Sequence, residues 1–194
     1  YITEDSLNTA KNSPHLEIFK SKGIEVILMT DVIDDWMTGF IHEFDGTEMV
    51  NVAKGDVNLD GAEKDDPEAE KAVSETDVKL IDRLTTALGD RVESVKISKR
   101  LTDSASVLVR NEQALSGHFE KMLREAGHDV PTMKPWLEIN PKHPLLVMLE
   151  ETNDEALTAD ISMLVYEEAL LLEGAQLDNP SEFVARLNRL MNRK

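Results

Sequence analysis

Between residues 13 and 46 the order of apolar and polar positions changes from a helical period to a strand pattern and back. Ser13 can cap a helix whose first position is Pro14, and Gly23 lies where a left-handed residue would end it. Residues 24–29 include five apolar side chains, several β-branched, which predicts a strand covered on both faces. Asp31 predicts the cap of a second helix, whose apolar face would hold Trp36, Met37, Phe40 and Ile41. Helix, buried strand and helix in succession predict a parallel α/β layer.

The middle of the chain predicts two helices and three short strands. The first helix ends at Gly89 and has the apolar stripe Leu80, Ile81, Leu84 and Leu88. Alternation at 95–97 and 137–139, with a β-branched run at 106–109, predicts a small antiparallel sheet. Segment 111–127 predicts an amphipathic helix with the apolar face Leu115, Phe119, Met122 and Leu123.

The last forty-five residues predict two helices joined by a short turn. The first should end at Gly174, and Asn179, Pro180 and Glu182 occupy the cap, first and third positions of the next. The stripes are Leu157, Ile161, Leu164, Val165 and Leu172 on the first helix, and Phe183, Leu187, Leu190 and Met191 on the second. Such a hairpin can pair with a second copy across a two-fold axis as a four-helix bundle. The alternative is packing on the domain's own sheet, because periodicity does not identify what a face contacts.

The net charge and the residue composition of the chain limit which partners and which cellular compartment we expect. The chain has 21 Lys and Arg against 38 Asp and Glu, a formal net charge of −17, which repels nucleic acid and anionic lipid. It has no cysteine, which excludes disulfides, thiol nucleophiles and Cys-ligated metals and fits a reducing cytoplasm. There is no secretory signal pattern and no apolar run long enough for a membrane span. We therefore expect a cytoplasmic protein, and the strand-like start at residues 1–3 predicts a piece of a longer one.

Residues 56–70 are strongly acidic and poor in apolar side chains, which predicts a solvated linker with the domain boundary near Pro67. The segment also contains Asp56, Asn58, Asp60 and Gly61 at positions 1, 3, 5 and 6 of a calcium loop. Position 12, which needs a bidentate carboxylate, is Pro67. We therefore interpret the match as fortuitous and predict no metal site.

Three separated motifs carry a resemblance to a known family. They are SPHLEIFKSKGIEVILMTDVIDDWM followed by EFDG, RLTDS at 100–104, and LEINPKHPLL at 137–146. In this order, and over nearly the whole chain, they resemble bacterial members of the heat-shock protein 90 family of chaperones. One departure is Ala105, where the family often has proline after RLTDS, which puts only a local turn in doubt.

The resemblance implies an α+β fold in two parts. Residues 1–66 would be the end of an α/β/α middle-domain layer with its acidic linker. Residues 67–194 would be a mixed dimerisation domain, with a small three-stranded sheet and a C-terminal helical hairpin that forms a dimeric four-helix bundle. In the family, ATP and Mg²⁺ bind in an N-terminal domain that would lie upstream of Tyr1, so this fragment should hold no cofactor and hydrolyse no ATP.

The sequence itself contains no glycine-rich phosphate loop, HExxH or GxSxG motif that would indicate catalysis. The five histidines, His15, His42, His118, His128 and His143, are scattered and are interpreted as structural. We therefore expect the homodimerising part of an ATP-dependent chaperone for protein folding under stress, with other chaperones as further partners.

A second expected role is contact with unfolded or partly folded clients. The candidate client residues are Trp36, Phe40, Leu115, Phe119, Met122 and Leu123, for which core packing is the alternative. The alternative function is a stand-alone acidic dimeric adaptor or calcium-binding module.

Overall fold

A computed structural model describes residues 1–56, 74–114, 120, 123, 126–128 and 133–192. The elements up to residue 56 are β1 (Ile2–Thr3), α1 (Leu7–Asn12), a 3-10 turn (Pro14–Leu16), α2 (Glu17–Lys22), β2 (Leu28–Met29), α3 (Val32–Thr38), β3 (Glu43–Phe44) and β4 (Thr47–Glu48). Those from residue 74 onward are α4 (Glu75–Leu88), a 3-10 turn (Gly89–Arg91), β5 (Val95–Ile97), β6 (Ser106–Val109), β7 (Trp136–Ile139), α5 (Pro144–Glu151), α6 (Glu155–Leu172) and α7 (Pro180–Met191).

Residues 1–56, called here the N-terminal unit, have a small apolar core of their own. β1 and β2 pair in parallel, with Ile2 opposite Leu28, which agrees with a parallel arrangement and with a strand at the first residues. The core residues are Ile2, Ala10, Leu16, Phe19 and Val52. β3 and β4 form a separate antiparallel hairpin.

Two local predictions in this unit need correction. The helix expected from Pro14 begins as a 3-10 turn, and the Ser13 side chain is buried without capping it, although Gly23 ends α2 in the left-handed region at φ 66°. The strand expected over 24–29 is paired only at Leu28–Met29, and Ile27 is 64% exposed. The prediction of a strand covered on both faces is therefore wrong, because an apolar run alone does not show how many of its side chains find a neighbour.

The three strands beyond residue 74 lie where the sequence predicts them, but the sheet is mixed. β7 is central: it runs parallel to β5 and antiparallel to β6, with Leu137 between Val95 and Leu108. The expectation of an antiparallel sheet is wrong for β5, because the long segment between β5 and β7 provides the crossover that parallel pairing requires.

Helices α4, α5 and α6 cover one face of this sheet and form the main core. Ser74 and Asp77 cap α4 reciprocally, with Nα–H of Asp77 donating to Ser74 Oγ at 3.1 Å and Nα–H of Ser74 to Asp77 Oδ2 at 2.9 Å. The main core comprises Leu80, Leu84, Leu88, Val92, Val95, Ala105, Leu108, Leu137, Ile139, Leu146, Leu149, Leu157, Ile161, Val165 and Ala169. The opposite face of the sheet presents Val107, Val109 and Trp136.

The predicted domain boundary near Pro67 and the calcium-loop residues Asn58, Asp60 and Gly61 lie outside the described residues. Asp56 is described and forms an exposed ion pair with Lys96, whose Nζ lies 3.7 Å from Asp56 Oδ1. No helix in the described part of the chain is both long and apolar enough to cross a membrane.

Candidate functional site

The C-terminal hairpin of α6 and α7 is antiparallel. Gly174 follows α6 at φ 72°, and Asn179 caps α7 by accepting a hydrogen bond from the Nα–H of Glu182 at 3.2 Å. Ion pairs then join the two helices in reversed order, Arg186 with Glu167 and Arg189 with Asp160. The turn and the caps were predicted from the sequence, since each depends only on local residues.

The stripe of α6 is already covered by the chain's own core. Four residues that were expected at the dimer interface, Leu157, Ile161, Leu164 and Val165, are buried within the protomer. α6 also accepts a hydrogen bond at Val165 O from Ser106 Oγ on β6, at 2.6 Å. Their assignment to the interface is therefore corrected: they follow the alternative of packing on the domain's own sheet. Leu172, at the end of the helix, is exposed.

The stripe of α7 is covered only in part, where Leu190 packs against the main core. No residue of this helix is buried, and Phe183 and Leu190 are only half-buried. Val184, Leu187 and Met191 are 52%, 36% and 75% exposed. These three residues, spaced at helical intervals, are called here the open α7 face. Of the nine expected interface residues, those on α7 and Leu172 therefore keep apolar surface that another molecule can cover.

Two arginines of α7 fix the helix against α6. Arg186 Nη1 lies 2.7 and 2.9 Å from the two carboxylate oxygens of Glu167, and both side chains are largely buried. Arg189 binds both oxygens of Asp160, each at 2.8 Å, and remains half-exposed. Because these paired bonds restrict the rotation of α7, its open face is held in a defined direction.

α3 carries the second exposed apolar surface. Its N-terminus is closed by Asp31 and Asp34: the Nα–H of Asp31 donates to Asp34 Oδ2 at 2.9 Å. No residue of α3 is buried. Trp36 is exposed, and Phe40, which follows the end of the helix at Thr38, is 71% exposed.

The two rings of this surface contact each other edge to face, with centroids 5.1 Å apart at 63°. Their contact gives a paired aromatic surface rather than two isolated side chains. Trp36 and Phe40 are called here the aromatic pair. Of the other expected client residues, Leu123 is half-buried, while Leu115, Phe119 and Met122 lie outside the described residues.

A buried arginine, which the sequence did not single out beyond its place in RLTDS, joins the N-terminal unit to the sheet. Arg100 Nε and Nη2 lie 2.9 and 3.0 Å from the Glu138 carboxylate oxygens on β7. Its Nη1 donates to Val52 O at 2.6 Å, and its Nη2 donates to Gly55 O at 2.7 Å. The N-terminal unit is thus attached through a buried polar network, which satisfies the charge of Arg100 in full.

His15 extends this network. Its Nδ1 lies 3.3 Å from Arg100 Nη1, and its Nε2 lies 3.1 Å from Glu173 Oε1. A guanidinium only donates, so Nδ1 must accept, and Nε2 therefore carries the hydrogen that Glu173 receives. His143 caps α5 by accepting from the Nα–H of Leu145 at 3.3 Å, and burial lowers its pKa. These two histidines have structural roles.

A cavity of about 280 Å³ opens beside the network, between the N-terminal unit, β6 and the α6–α7 turn. Its charged lining includes Glu4, Lys54, Arg110 and Glu173. Burial, together with the charges of Glu173, Asp5 and Asp35, raises the pKa of Glu4 to about 8. Among the residues that the structure describes, no three carboxylates or histidines lie together as a metal site.

Comparison with known proteins gives a consistent result. The sequence profile of the family described as Hsp90 protein matches residues 1–194. The chain is 47% identical over 192 residues to "Chaperone protein HtpG" of Chromobacterium violaceum, and the match covers 98% of this chain and 30% of that protein. It is 44% identical over 191 residues to proteins of the same name from Burkholderia ambifaria and Burkholderia cenocepacia, with the same coverage. The chain thus spans about 30% of the length of the curated relatives it matches.

Proposed function

The chain belongs to the heat-shock protein 90 family, and we propose that it supplies the homodimerising and client-contacting C-terminal portion of an ATP-dependent molecular chaperone. Relatives at 44–47% identity bear the name of a chaperone, which supports a role in protein folding. Within this proposal the protein acts in the cytoplasm, and ATP and Mg²⁺ are bound by a part of the polypeptide outside these 194 residues.

The open α7 face supports the proposal that the chain forms a dimer. It leaves apolar surface uncovered on a helix that is fixed in direction by Arg186 and Arg189. Two such hairpins related by a two-fold axis would cover each other's α7 faces and complete a four-helix bundle. The protomer charge of −17 opposes this contact, so the dimer should strengthen as salt screens the repulsion.

Sedimentation velocity over a range of protein concentrations tests the dimer. We expect the wild-type chain to sediment as a dimer, and the variant Leu187→Ser with Met191→Ser to sediment as a monomer with unchanged helicity. Val78→Ser, which changes an apolar residue on α4 with an exposure between those of Leu187 and Met191, is the control and should remain dimeric. If the α7 variant remains fully dimeric, Leu187 and Met191 do not belong to the dimer interface.

The aromatic pair supports the proposal of client contact. Single exposed apolar side chains are ordinary on protein surfaces, whereas contiguous ones mark interaction sites. Trp36 and Phe40 are both exposed and their rings contact each other, so they form such a contiguous surface. We expect Trp36→Ala with Phe40→Ala to weaken the suppression of aggregation of an unfolded test protein, without lowering the melting temperature. Phe44→Ala, at an exposed aromatic of β3, is the control and should retain suppression. Equal suppression by all three proteins would exclude the aromatic pair as a client surface.

A further inference from the structure

The loop between β5 and β6 encloses the carboxylate of Glu17, the first residue of α2. Glu17 Oε2 accepts hydrogen bonds from the Nα–H groups of Thr102 at 2.6 Å and Asp103 at 2.9 Å. Glu17 Oε1 accepts from Ser104 twice, from Nα–H at 3.1 Å and from Oγ at 2.5 Å. Three successive backbone N–H groups and a hydroxyl thus converge on one carboxylate.

Successive N–H groups that point into one concavity form an anion-binding nest. Hydrogen bonds to an ionised carboxylate are roughly twice as strong as those between neutral groups. Burial alone would raise the pKa of Glu17, but the bonds from Ser104, Asp103 and Thr102 outweigh it, so the pKa is lowered. The loop therefore favours the ionised form of its occupant.

Contacts that do not involve Glu17 hold the loop in this shape. The Nα–H groups of Arg100 and Leu101 both donate to Ser98 Oγ at 3.1 Å. On the other side, the Nα–H of Asn140 donates to Ala105 O at 2.9 Å. Because both ends are fixed to the sheet, we expect the donors to remain convergent when the Glu17 side chain is removed.

We propose that residues 102–104 form a preorganised carboxylate-binding site, and that Glu17 occupies it as an intramolecular ligand that fastens the N-terminal unit to the sheet. The atoms that Glu17→Ala removes correspond to acetate, so that variant should leave a vacant site that acetate fits. Binding at this site is independent of dimerisation and of client contact.

The test is chemical rescue of Glu17→Ala by sodium acetate, followed by melting temperature and by the backbone amide NMR shifts of residues 102–104. We expect the variant to melt below wild type. Acetate should raise its melting temperature saturably and shift those amides with a millimolar dissociation constant, while sodium chloride at the same ionic strength should not. Wild type should not respond to acetate, because its site is filled. Glu25→Ala removes an exposed acid of the same unit and should neither lose stability nor bind acetate.

A variant that binds no acetate, or that responds equally to chloride, would overturn the proposal. If Glu17→Ala does not fold, wild type provides the second test. Its amides at 102–104 should then titrate together with the Glu17 carboxyl, at a pH below the ordinary glutamate range. If the amide shifts of residues 102–104 do not change as the Glu17 carboxyl titrates, the proposed carboxylate-binding site is contradicted.

Discussion

Helices α6 and α7 lie side by side and carry comparable apolar stripes in the sequence, yet different surfaces cover those stripes. α6 buries Ile161, Leu164 and Val165 within its own protomer. α7 buries no residue and leaves Val184, Leu187 and Met191 exposed. An apolar stripe therefore indicates that a face is to be covered but does not identify what covers it. The same chain covers α6, and we propose that a second copy covers the open α7 face.

The largest expected effect comes from truncating α6. Ile161→Ala should lower the free energy of unfolding of the protomer by about 2–5 kcal/mol, because it opens a cavity in the main core. Val184→Ala on α7 should change it by less than about 0.5 kcal/mol, as is usual for exposed positions. Urea denaturation at low protein concentration measures this difference with little contribution from dimerisation. Equal losses in the two variants would contradict the comparison.

The next effect concerns the ion pairs that join the helices. Glu167→Gln should cost about 1.5–3 kcal/mol, because it weakens two charge-assisted bonds from the largely buried Arg186. The matched variant Asp160→Asn weakens the pair with the half-exposed Arg189 and a longer contact of 3.9 Å with Arg186, and should cost less than Glu167→Gln because solvent screens the exposed pair. Denaturation curves of the two variants give both numbers. A larger loss for Asp160→Asn would mean that the exposed pair fixes α7.

The capping residues of α6 and α7 could be predicted from the sequence, whereas the burial of each helix's apolar stripe could not. Gly174, Asn179 and Pro180 act through neighbours a few residues away, so their pattern is sufficient. The cover over Ile161 comes from distant elements, α4 and the sheet, which periodicity does not specify. The same limit explains the parallel pairing of β5 with β7.

The hydrogen bonds that attach the N-terminal unit to the sheet also could not be predicted from the sequence. Arg100 and Glu17 appear there as ordinary charged residues, and each has its partners 38 to 87 positions away in the chain. The RLTDS motif was the available signal, since it contains both Arg100 and the loop that binds Glu17. A motif shared with a family marks such residues without giving their contacts.

The smallest expected effect is a pH dependence at Glu168, the neighbour of Glu167 on α6. Burial raises the pKa of Glu168, so the folded state holds this proton more tightly than the unfolded state. Its contribution to stability is therefore greatest below the unfolded pKa and falls as pH rises through the folded pKa. Glu168→Gln should be more stable relative to wild type at pH 7 than at pH 4, as measured by thermal melts. The opposite order would contradict burial of this carboxyl.

Thiol labelling of single introduced cysteines tests whether α6 and α7 are covered by different surfaces. The chain has no cysteine of its own, so only the introduced thiol reacts. We predict that Leu187→Cys reacts with maleimide more slowly as protein concentration rises, since a second copy then covers the open α7 face. Ile161→Cys should react slowly at every concentration, and Val78→Cys rapidly at every concentration. A rate at Leu187→Cys that does not depend on protein concentration would contradict the claim that α7 is covered by a second copy.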